Sequence, residues 1–382
     1  MSALPTLVVF SDDWGRHPSS AQHLVREMLP RWKVEWIHTI GTRRPSLSMA
    51  DARRAMGKLR EWTRPKATSS STSGEPESAR HPNLTVHSPV HWPGFGSRFE
   101  RGLNARLFDA KLRPLIERAD AVVTTASITA DLAARTRDAN WIYYCVDDLS
   151  QWPGLDAEAL RTMEIDLLPS MRTIVAVSDH LVARLKTMGR DAHLLTHGIE
   201  LSHWRGVVRR APRGRDETPI ATFWGNADER LDAEVVLALA RACELRMVGP
   251  RSKIDARLEN EPAIRWMGSV PYAELPRVAS ESDVLVMPYA DLPVTRAMQP
   301  LKLKEYLATG LPVVATPLPA NVVWGDALDL ASAPGDFARV VSERARSPLL
   351  ASQARARERL ADEGWDRKAL QFEAWIRRSG ST

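Results

Sequence analysis

The fold class is clearest from the segment Pro300-Leu301-Lys302-Leu303-Lys304-Glu305-Tyr306-Leu307-Ala308-Thr309-Gly310-Leu311-Pro312-Val313-Val314. Pro300 suits the first turn of a helix, because the N–H that proline lacks has no partner there. Gly310 predicts the end of that helix, and the apolar residues from Pro312 onward predict a buried strand. A helix that leads directly into a buried strand is typical of parallel α/β folds.

The same predicted helix carries a cation and a carboxylate near its start. Lys302 lies in the first turn, and Glu305 follows three residues later on the same face. The unpaired N–H groups of a helix N-terminus and a nearby ammonium group together favour an anionic ligand. An ordinary surface helix with a solvated Lys–Glu pair has the same pattern, so the stretch alone predicts either of the two.

Length and composition restrict the class of protein. The chain has 382 residues, of which 44% are hydrophobic, enough for two domains with separate cores. The formal net charge of +5 favours an anionic partner. Two cysteines argue against a disulfide framework, and neither has metal-ligand spacing. No secretory signal and no apolar run of about 20 residues is present, so we expect a cytoplasmic protein that binds no metal.

Short apolar runs alternate with amphipathic segments along both halves of the chain. This alternation predicts two doubly wound α/β domains that face a cleft. We place the first domain at residues 1–200 and the second at residues 201–360, joined by an Arg-, Gly- and Pro-rich linker. The predicted strands are Leu7–Phe10, Val34–Ile37, Leu84–His87, Ala121–Thr124, Trp141–Val146, Thr173–Val177, Ala192–Leu195, Ile220–Trp224, Glu244–Val248, Ile264–Met267, Val284–Pro288 and Pro312–Ala315.

A basic segment interrupts the first domain. Eight Lys and Arg residues between Arg43 and Lys66 are accompanied by only two acidic residues, and a Ser/Thr-rich run follows them. We predict a basic helix and a flexible loop, which together form an insert at about residues 43–82. Two interpretations of the insert remain open: contact with an anionic membrane surface, or a charged helix that simply faces water.

The ends of the predicted strands in the second domain carry residues suited to a ligand. Carboxyl ends of parallel strands meet at one edge of a sheet, where α/β folds bind ligands. Glycine there lets the backbone approach a ligand closely, although glycines also end strands for purely structural reasons. These residues, with the Lys302 helix beside them, predict a nucleotide site. They are Gly225, Asn226, Ser269, Val270 and Tyr289.

Two adjacent carboxylates, Asp147 and Asp148, stand at a predicted strand end in the first domain. They suit general-base chemistry on a sugar hydroxyl, or hydrogen bonding to hydroxyl groups. Capping of a turn or helix is the alternative, because aspartate is common at such positions. His17 follows the first strand in the same way and is a candidate proton carrier, although a lone loop histidine is more often without a role.

Together these motifs resemble nucleotide-sugar glycosyltransferases of the GT-B fold, in particular glycosyltransferase family 4, with some likeness to the xanthan-type glucuronosyltransferase family. The likeness extends over nearly the whole chain, and residues 300–316 are its most specific part. The other segments that carry it are Tyr144–Ser150, Ala176–Ser178, His197–Glu200, Gly225–Asp232 and Trp365–Asp366. The segment at residues 361–382 resembles the C-terminal helix that crosses back onto the first domain in such folds.

The resemblance implies that the second domain binds a nucleoside-diphosphate sugar and that the first domain binds the acceptor. The residues expected at the diphosphate are Lys302, Arg230, Gly225 and Asn226. The residues expected at the nucleotide are Glu305 on the ribose, with Tyr289, Ser269, Val270 and Leu301 beside the ribose or base. The catalytic candidates are Asp147, which resembles the base proposed for the xanthan-type family, together with Asp148 and His17.

The expected activity is transfer of a sugar, hexosyltransferase-like, from a nucleoside-diphosphate sugar to a hydroxyl group of a glycan or lipid-linked acceptor. The expected setting is bacterial polysaccharide or glycolipid synthesis in the cytoplasm, with peripheral contact to an anionic membrane as one option, and with no metal or other cofactor. A nucleotide-sugar epimerase on the same fold and a non-catalytic nucleotide- or glycan-binding protein are the alternatives. Nucleic acid is not expected as a partner, because no nucleic-acid module is present.

One position departs from the family pattern. Many family 4 enzymes carry a second glutamate eight positions before the one that corresponds to Glu305, and Ala297 stands there in this chain. Asp291 lies nearby but does not have the spacing. Retention and inversion at the anomeric carbon are both compatible with this pattern.

Overall fold

The computed structural model describes residues 3–15, 19–39, 81–92, 94–152 and 154–380. His17 lies outside the described residues, and so does the predicted basic insert as far as Arg80. Contacts along the chain separate it into two units. The first unit comprises Met1–Ala176, Arg184–His193 and Ala369–Thr382, and the second comprises Val177–Ala183 and Leu194–Lys368.

The described residues of the first unit form one sheet of seven strands. They are β1 (Thr6–Ser11), β2 (Lys33–His38), β3 (Leu84–His87), β4 (Ala121–Thr124), β5 (Trp141–Cys145), β6 (Thr173–Ala176) and β7 (His193–Leu194). Their order is β3-β2-β1-β4-β5-β6-β7, and every pairing from β3 to β6 is parallel. Strands β4 and β5 are buried along their whole length, as expected for a parallel sheet covered on both faces.

Five α-helices of the described residues lie before Leu201 in the chain. They are α1 (Ser20–Met28), α2 (Arg98–Ile116), α3 (Ala130–Arg135), α4 (Ala157–Leu167) and α5 (Asp179–Thr187). The local sequence determines where α2 begins. Ser97 caps α2 by accepting a hydrogen bond from the backbone N–H of Glu100, whose side chain bonds back to Ser97.

The second unit is built on a six-stranded parallel sheet. Its strands are β8 (Ile220–Trp224), β9 (Glu244–Val248), β10 (Ile264–Gly268), β11 (Val284–Met287), β12 (Val313–Ala315) and β13 (Asp329–Leu330). Their order is β10-β9-β8-β11-β12-β13, and all five pairings are parallel. The order reverses direction between β8 and β11, and open α/β sheets bind their ligands at such a reversal.

The remaining helices cover this sheet and end the chain. They are α6 (Leu201–Trp204), α7 (Ala233–Ala242), α8 (Ala256–Glu259), α9 (Leu275–Ser280), α10 (Pro293–Ala297), α11 (Leu301–Ala308), α12 (Pro319–Val322), α13 (Pro334–Ala345), α14 (Ala351–Ala356) and α15 (Trp365–Gly380). From Ala369 onward, α15 belongs to the first unit. There Phe372 packs against Tyr144, with ring centres 5.4 Å apart, and Glu373 pairs with Arg31.

All twelve predicted strands are confirmed, with ends that agree to within one residue. The thirteenth strand, β13, was not predicted, because two residues form no recognisable apolar run. One helix boundary was wrong: Pro300 lies at the N-cap of α11 with extended backbone, and the first helical residue is Leu301. Within the described ranges, no helix combines the length and the apolar character that a membrane crossing requires.

Candidate functional site

The ammonium group of Lys302 lies where the strand order of the second sheet reverses. Its Nζ donates a 2.7 Å hydrogen bond to the hydroxyl of Tyr289 and lies 4.1 Å from the centre of the Phe223 ring. Phe223 belongs to β8, and Tyr289 follows β11, the two strands on either side of the reversal. The structure therefore places Lys302 at the position where a doubly wound sheet binds a ligand.

Gly225 leaves room for this ammonium group at the end of β8. A Cβ atom on Gly225 would lie 2.1 Å from Nζ of Lys302, and the backbone φ of 130° is one that L-residues rarely adopt. Gly249, at the end of β9, has a φ of 135°, and a Cβ there would lie 2.1 Å from the Gly225 carbonyl oxygen. Both glycines are therefore required by close packing at the carboxyl edge.

The surroundings of Lys302 are suited to an anion. Its described contacts are a neutral hydroxyl and two aromatic faces, those of Phe223 and Tyr289, which stabilise a cation without neutralising it. No carboxylate among the described residues forms a salt bridge with Lys302. Pro300, the N-cap, provides no side-chain hydrogen bond, so no side chain caps the first N–H groups of α11.

Glu305 lies on the same helix, and its carboxylate is held by aromatic donors. The indole Nε1 of Trp224 donates a 3.2 Å hydrogen bond to Oε2 of Glu305. Burial raises the pKa of Glu305, while hydrogen bonds from Trp224 and Tyr272 and the charge of Lys302 lower it. The net shift of the pKa is upward, so Glu305 keeps its proton to a higher pH than an exposed glutamate does.

An aromatic cluster, which the sequence did not predict, surrounds Glu305. The rings of Tyr272 and His203 stack at 4.2 Å with an angle of 8° between them. The rings of Trp204 and Trp224 stack at 5.6 Å and 7°. Burial raises the pKa of Tyr272 far above its usual value, so the phenol is a neutral donor. The only sequence signal for this cluster was an aromatic residue shortly after a strand end, which is too common to be specific.

The other two predicted diphosphate residues both contact Asp228. Arg230 forms two 2.8 Å hydrogen bonds to this carboxylate, and Asn226 donates a third from Nδ2 at 2.7 Å. The guanidinium carbon of Arg230 also lies 5.8 Å from the centre of the Tyr289 ring. Since Lys302 contacts the same tyrosine, the structure brings the two predicted cations together around one ring.

The predicted base-contacting residues are less closely grouped. Ser269 and Val270 follow β10, the edge strand of the sheet, which is separated from β8 by β9. It is Tyr272 of this loop that interacts with Glu305. Leu301 is the first residue of α11 and is half-buried beside Lys302.

The two adjacent aspartates of the first unit differ in their surroundings. Asp148 is buried, accepts hydrogen bonds from the backbone N–H and the hydroxyl of Ser150 at 3.1 and 2.6 Å, and lies 3.4 Å from Nε of Arg184. Asp148 therefore caps a turn, which was the structural alternative considered for the two adjacent aspartates. Asp147 is half-buried and follows the carboxyl end of β5 by two residues.

Asp12 was not among the predicted site residues. It directly follows β1, beside the reversal between β1 and β4 in the strand order of the first sheet. Burial raises its pKa, while hydrogen bonds from Ser19, Ser11 and Gln22 lower it. This carboxylate is a candidate site residue of the first unit, whereas His17 lies outside the described residues.

The departure from the family pattern has a structural counterpart. Ala297 is buried, and its carbonyl oxygen accepts a 2.9 Å hydrogen bond from the hydroxyl of Ser178. Asp291 is exposed and pairs with Arg296 through two hydrogen bonds of 2.5 and 2.7 Å. In the portion of the chain that is described, no group of three or more His, Cys, Asp or Glu side chains could hold a metal ion.

Comparisons with known proteins agree with this geometry. Residues 226–344 match the family model described as "Glycosyl transferases group 1". The apo form of the lipopolysaccharide outer core galactosyltransferase WaaB superposes with a TM-score of 0.62 at 12% identity, over 98% of this chain and 99% of that one. The fold is the GT-B fold of glycosyltransferases. A trehalose-6-phosphate structure from E. coli, bound with UDP-2-fluoro glucose, shares the GT-B fold with a TM-score of 0.65 at 13% identity, over 97% and 98% of the two chains.

The resemblance to GT-B glycosyltransferases is thereby confirmed. A relative in Bacillus subtilis (strain 168), provisionally named a teichuronic acid biosynthesis glycosyltransferase, TuaH, is 28% identical over 180 residues. That match covers 43% of this chain and 45% of the relative, so the chain spans less than half the relative's length. The segment matched by the family model includes Arg230, Tyr289, Lys302 and Glu305, and it does not include Asp147.

Proposed function

We propose that this GT-B protein is a glycosyltransferase that moves a sugar from a nucleoside-diphosphate sugar to a hydroxyl group of a glycan or lipid-linked acceptor. The match to the glycosyl transferases group 1 model and the names of the relatives support a place in bacterial polysaccharide or glycolipid synthesis. The observation that carries the proposal is the position of Lys302 at the strand reversal of the second sheet.

In this proposal Lys302 and the start of α11 bind the diphosphate. When the bond between the anomeric carbon and the diphosphate oxygen breaks, the electron pair remains on that oxygen. The ammonium group and the uncapped N–H groups stabilise the resulting charge. The absence of a side chain on Gly225 leaves the room that the ammonium group occupies at this edge, and no metal is needed for this role.

Glu305 is proposed to bind a ribose hydroxyl of the nucleotide. A carboxylate accepts hydrogen bonds from sugar hydroxyls, and these charge-assisted bonds are stronger than those between neutral groups. Trp224 and Tyr272 orient the carboxylate without neutralising it, because both are neutral donors. The second unit therefore contains separate groups for the diphosphate and the ribose.

Asp147 in the first unit is proposed to bind the acceptor hydroxyl and accept its proton as the new bond to the anomeric carbon forms. The neighbouring residue Asp148 has a structural role, because Ser150 and Arg184 contact its carboxylate oxygens. The proton thus moves from the acceptor to Asp147, and the leaving nucleotide departs as an anion.

The first experiment is a thermal-shift screen of the full chain against UDP-, GDP-, ADP- and dTDP-sugars. A ligand at 100 times its Kd stabilises the folded state by about 2.7 kcal/mol, which is easily measured. Binders are then assayed for release of nucleoside diphosphate in the presence of acceptors and EDTA.

Release that depends on an acceptor and persists in EDTA supports the proposal. No shift with any nucleotide contradicts it. Conversion of the donor sugar without any acceptor would instead identify an epimerase, and binding without turnover would identify a nucleotide-binding protein.

A further inference from the structure

Helix α2 (Arg98–Ile116) of the first unit is apolar on two opposite faces. The inner face packs into the core through Ala105, Phe108, Leu112 and Ile116. The outer face, here called the α2 face, consists of Phe99, Leu103, Leu107 and Ala110. Successive helical residues are about 100° apart, so these four lie within one narrow stripe directly opposite the buried side.

The α2 face exposes two large apolar side chains. Phe99 is 77% exposed and Leu107 is 38% exposed. Exposed hydrophobic residues that occur singly need no explanation, but a continuous stripe marks a surface that binds something. Placing a large aromatic side chain in water forgoes the favourable burial that it would gain in an apolar medium.

Basic residues border the stripe on both sides. By helical geometry, Arg106 lies on one side and Lys111 on the other, and Arg118 follows just beyond the end of α2. Two acidic residues, Glu100 on the Lys111 side and Glu117 at the C-cap, also lie near the stripe. The three basic side chains are exposed. In the described part of the chain, neither Arg106 nor Lys111 has an ion-pair partner, and Arg118 bonds only to the carbonyl oxygen of Pro114.

The loop that precedes α2 extends the apolar surface. Val90 and Trp92 are 47% and 48% exposed. The buried Asn104 fixes this loop to the helix, because its Oδ1 accepts a 2.7 Å hydrogen bond from the backbone N–H of Trp92. The Trp92 indole donates to Glu100 at 3.2 Å, so the ring is held beside the helix with nearly half of its surface exposed.

We propose that the α2 face, with Trp92 and Val90, is a membrane-binding surface that lies in the headgroup region of an anionic bilayer. An apolar stripe bordered by Lys and Arg is the pattern of helices that lie in the plane of the interface. Each basic residue near an anionic surface contributes about 1 kcal/mol, and tryptophan favours the interface because its ring is apolar and its N–H is polar. An anionic lipid surface attracts the basic residues beside the stripe, whereas a second copy of this chain carries the same net positive charge and would repel them.

The test is sedimentation of the full chain with vesicles of phosphatidylcholine alone or of equal parts phosphatidylcholine and phosphatidylglycerol. We expect binding only to the anionic vesicles, with loss of binding in high salt. Phe99→Glu should weaken it by about tenfold or more, because the burial of the ring is lost. Arg106→Glu with Lys111→Glu should weaken it by a similar factor. Ile165→Glu, at a 52% exposed position of α4 in the same unit, is the matched control and should bind normally.

The result that overturns the proposal is a wild-type chain that does not bind anionic vesicles. Equal binding by wild type and Phe99→Glu also overturns it, and assigns the membrane contact to another segment such as the basic run from Arg43 to Lys66. Self-association that Phe99→Glu abolishes, seen by analytical ultracentrifugation without vesicles, would make the face an interface between copies. Phe99→Glu keeps all residues proposed to bind nucleotide, so an unchanged melting temperature shows that a loss of vesicle binding is not caused by unfolding.

Discussion

Gly225 and Lys302 are packed so closely that a methyl group on the glycine would lie 2.1 Å from the lysine ammonium. The glycine ends β8, and the lysine belongs to the first turn of α11. This contact joins two segments 77 residues apart, which the sequence had singled out for separate reasons. It fixes the ammonium at the carboxyl edge of the second sheet.

Gly225→Ala should therefore weaken nucleotide binding as well as stability. The backbone φ of 130° would strain an alanine by about 1–3 kcal/mol, and the new methyl group would displace Nζ of Lys302. We expect the melting temperature to fall and the nucleotide-induced shift to be largely lost. Gly335→Ala is the control, because no atom lies within 4 Å of its Cβ position. A Gly225→Ala protein that binds nucleotide normally would show that nucleotide binding does not require the Lys302 ammonium group at this position.

Glu305→Gln should stabilise the ligand-free protein and weaken nucleotide binding. Burial raises the pKa of Glu305, so the folded state binds protons more tightly than the unfolded state does. The contribution of Glu305 to the free energy of unfolding therefore falls as the pH rises from the usual glutamate pKa of 4.5 through its raised value. A neutral glutamine avoids that penalty but loses a charge-assisted hydrogen bond of about 1.5–3 kcal/mol.

The measurement is thermal unfolding of both proteins between pH 4 and pH 8, with and without nucleotide. The expected result is a stability difference that shifts in favour of Glu305→Gln as the pH rises, together with a nucleotide affinity about tenfold lower or more. A variant that is less stable at neutral pH and binds nucleotide equally well would make the glutamate a purely structural residue.

Lys304→Met should lower stability without a direct effect on binding, in contrast to its neighbour Lys302. The Lys304 ammonium is buried, pairs with Glu363 at 2.5 Å, and donates to the carbonyl oxygen of His197. Burial lowers its pKa to about 8 although the Glu363 charge raises it. Glu363 keeps a second partner, Lys368, at 2.6 Å, so the main loss is the buried hydrogen bond to the His197 carbonyl oxygen, which should reduce the free energy of unfolding by about 1–3 kcal/mol. Chemical denaturation measures this, and the nucleotide Kd of the folded variant should match wild type.

Local signals in the sequence were sufficient for the strands and for α11. Runs of apolar residues bounded by glycine and proline identify buried strands without knowledge of their neighbours, and Gly310 does end α11, with a φ of 75°. The two-residue β13 has no such signal, because pairing with β12 alone defines it. The boundary at Pro300 shifted by one residue, since extended backbone at an N-cap and helical backbone at the next position suit proline equally well.

Roles that depend on contacts across the fold could not be predicted. The distinction between Asp147 and Asp148 is made by Arg184 of α5, which lies near one carboxylate and forms a bidentate pair with Glu164. Likewise, the aromatic partners of Glu305 come from β8 and from the loop after β10. Sequence patterns identify the residue types at a strand end, but only packing shows that Ser150 and Arg184 contact the Asp148 carboxylate.

Asp147→Asn and Asp148→Asn should have different effects. The first removes the proposed proton acceptor, so the rate of transfer should fall by about 100-fold or more while nucleotide binding and stability change little. The second weakens the contacts with Ser150 and Arg184, so the melting temperature should fall. Steady-state kinetics and thermal unfolding of both variants measure this. Full activity in Asp147→Asn would remove this residue from the mechanism.

Calorimetric titration with a nucleoside diphosphate measures whether the diphosphate binds at Lys302. Lys302→Ala should raise the Kd by about tenfold to 100-fold, because one charge-assisted contact worth about 1.5–3 kcal/mol is lost. The matched change Arg355→Ala, at an exposed cation of α14 in the same unit, should leave the Kd unchanged. Equal Kd values for wild type and Lys302→Ala, with both proteins folded, would contradict the account.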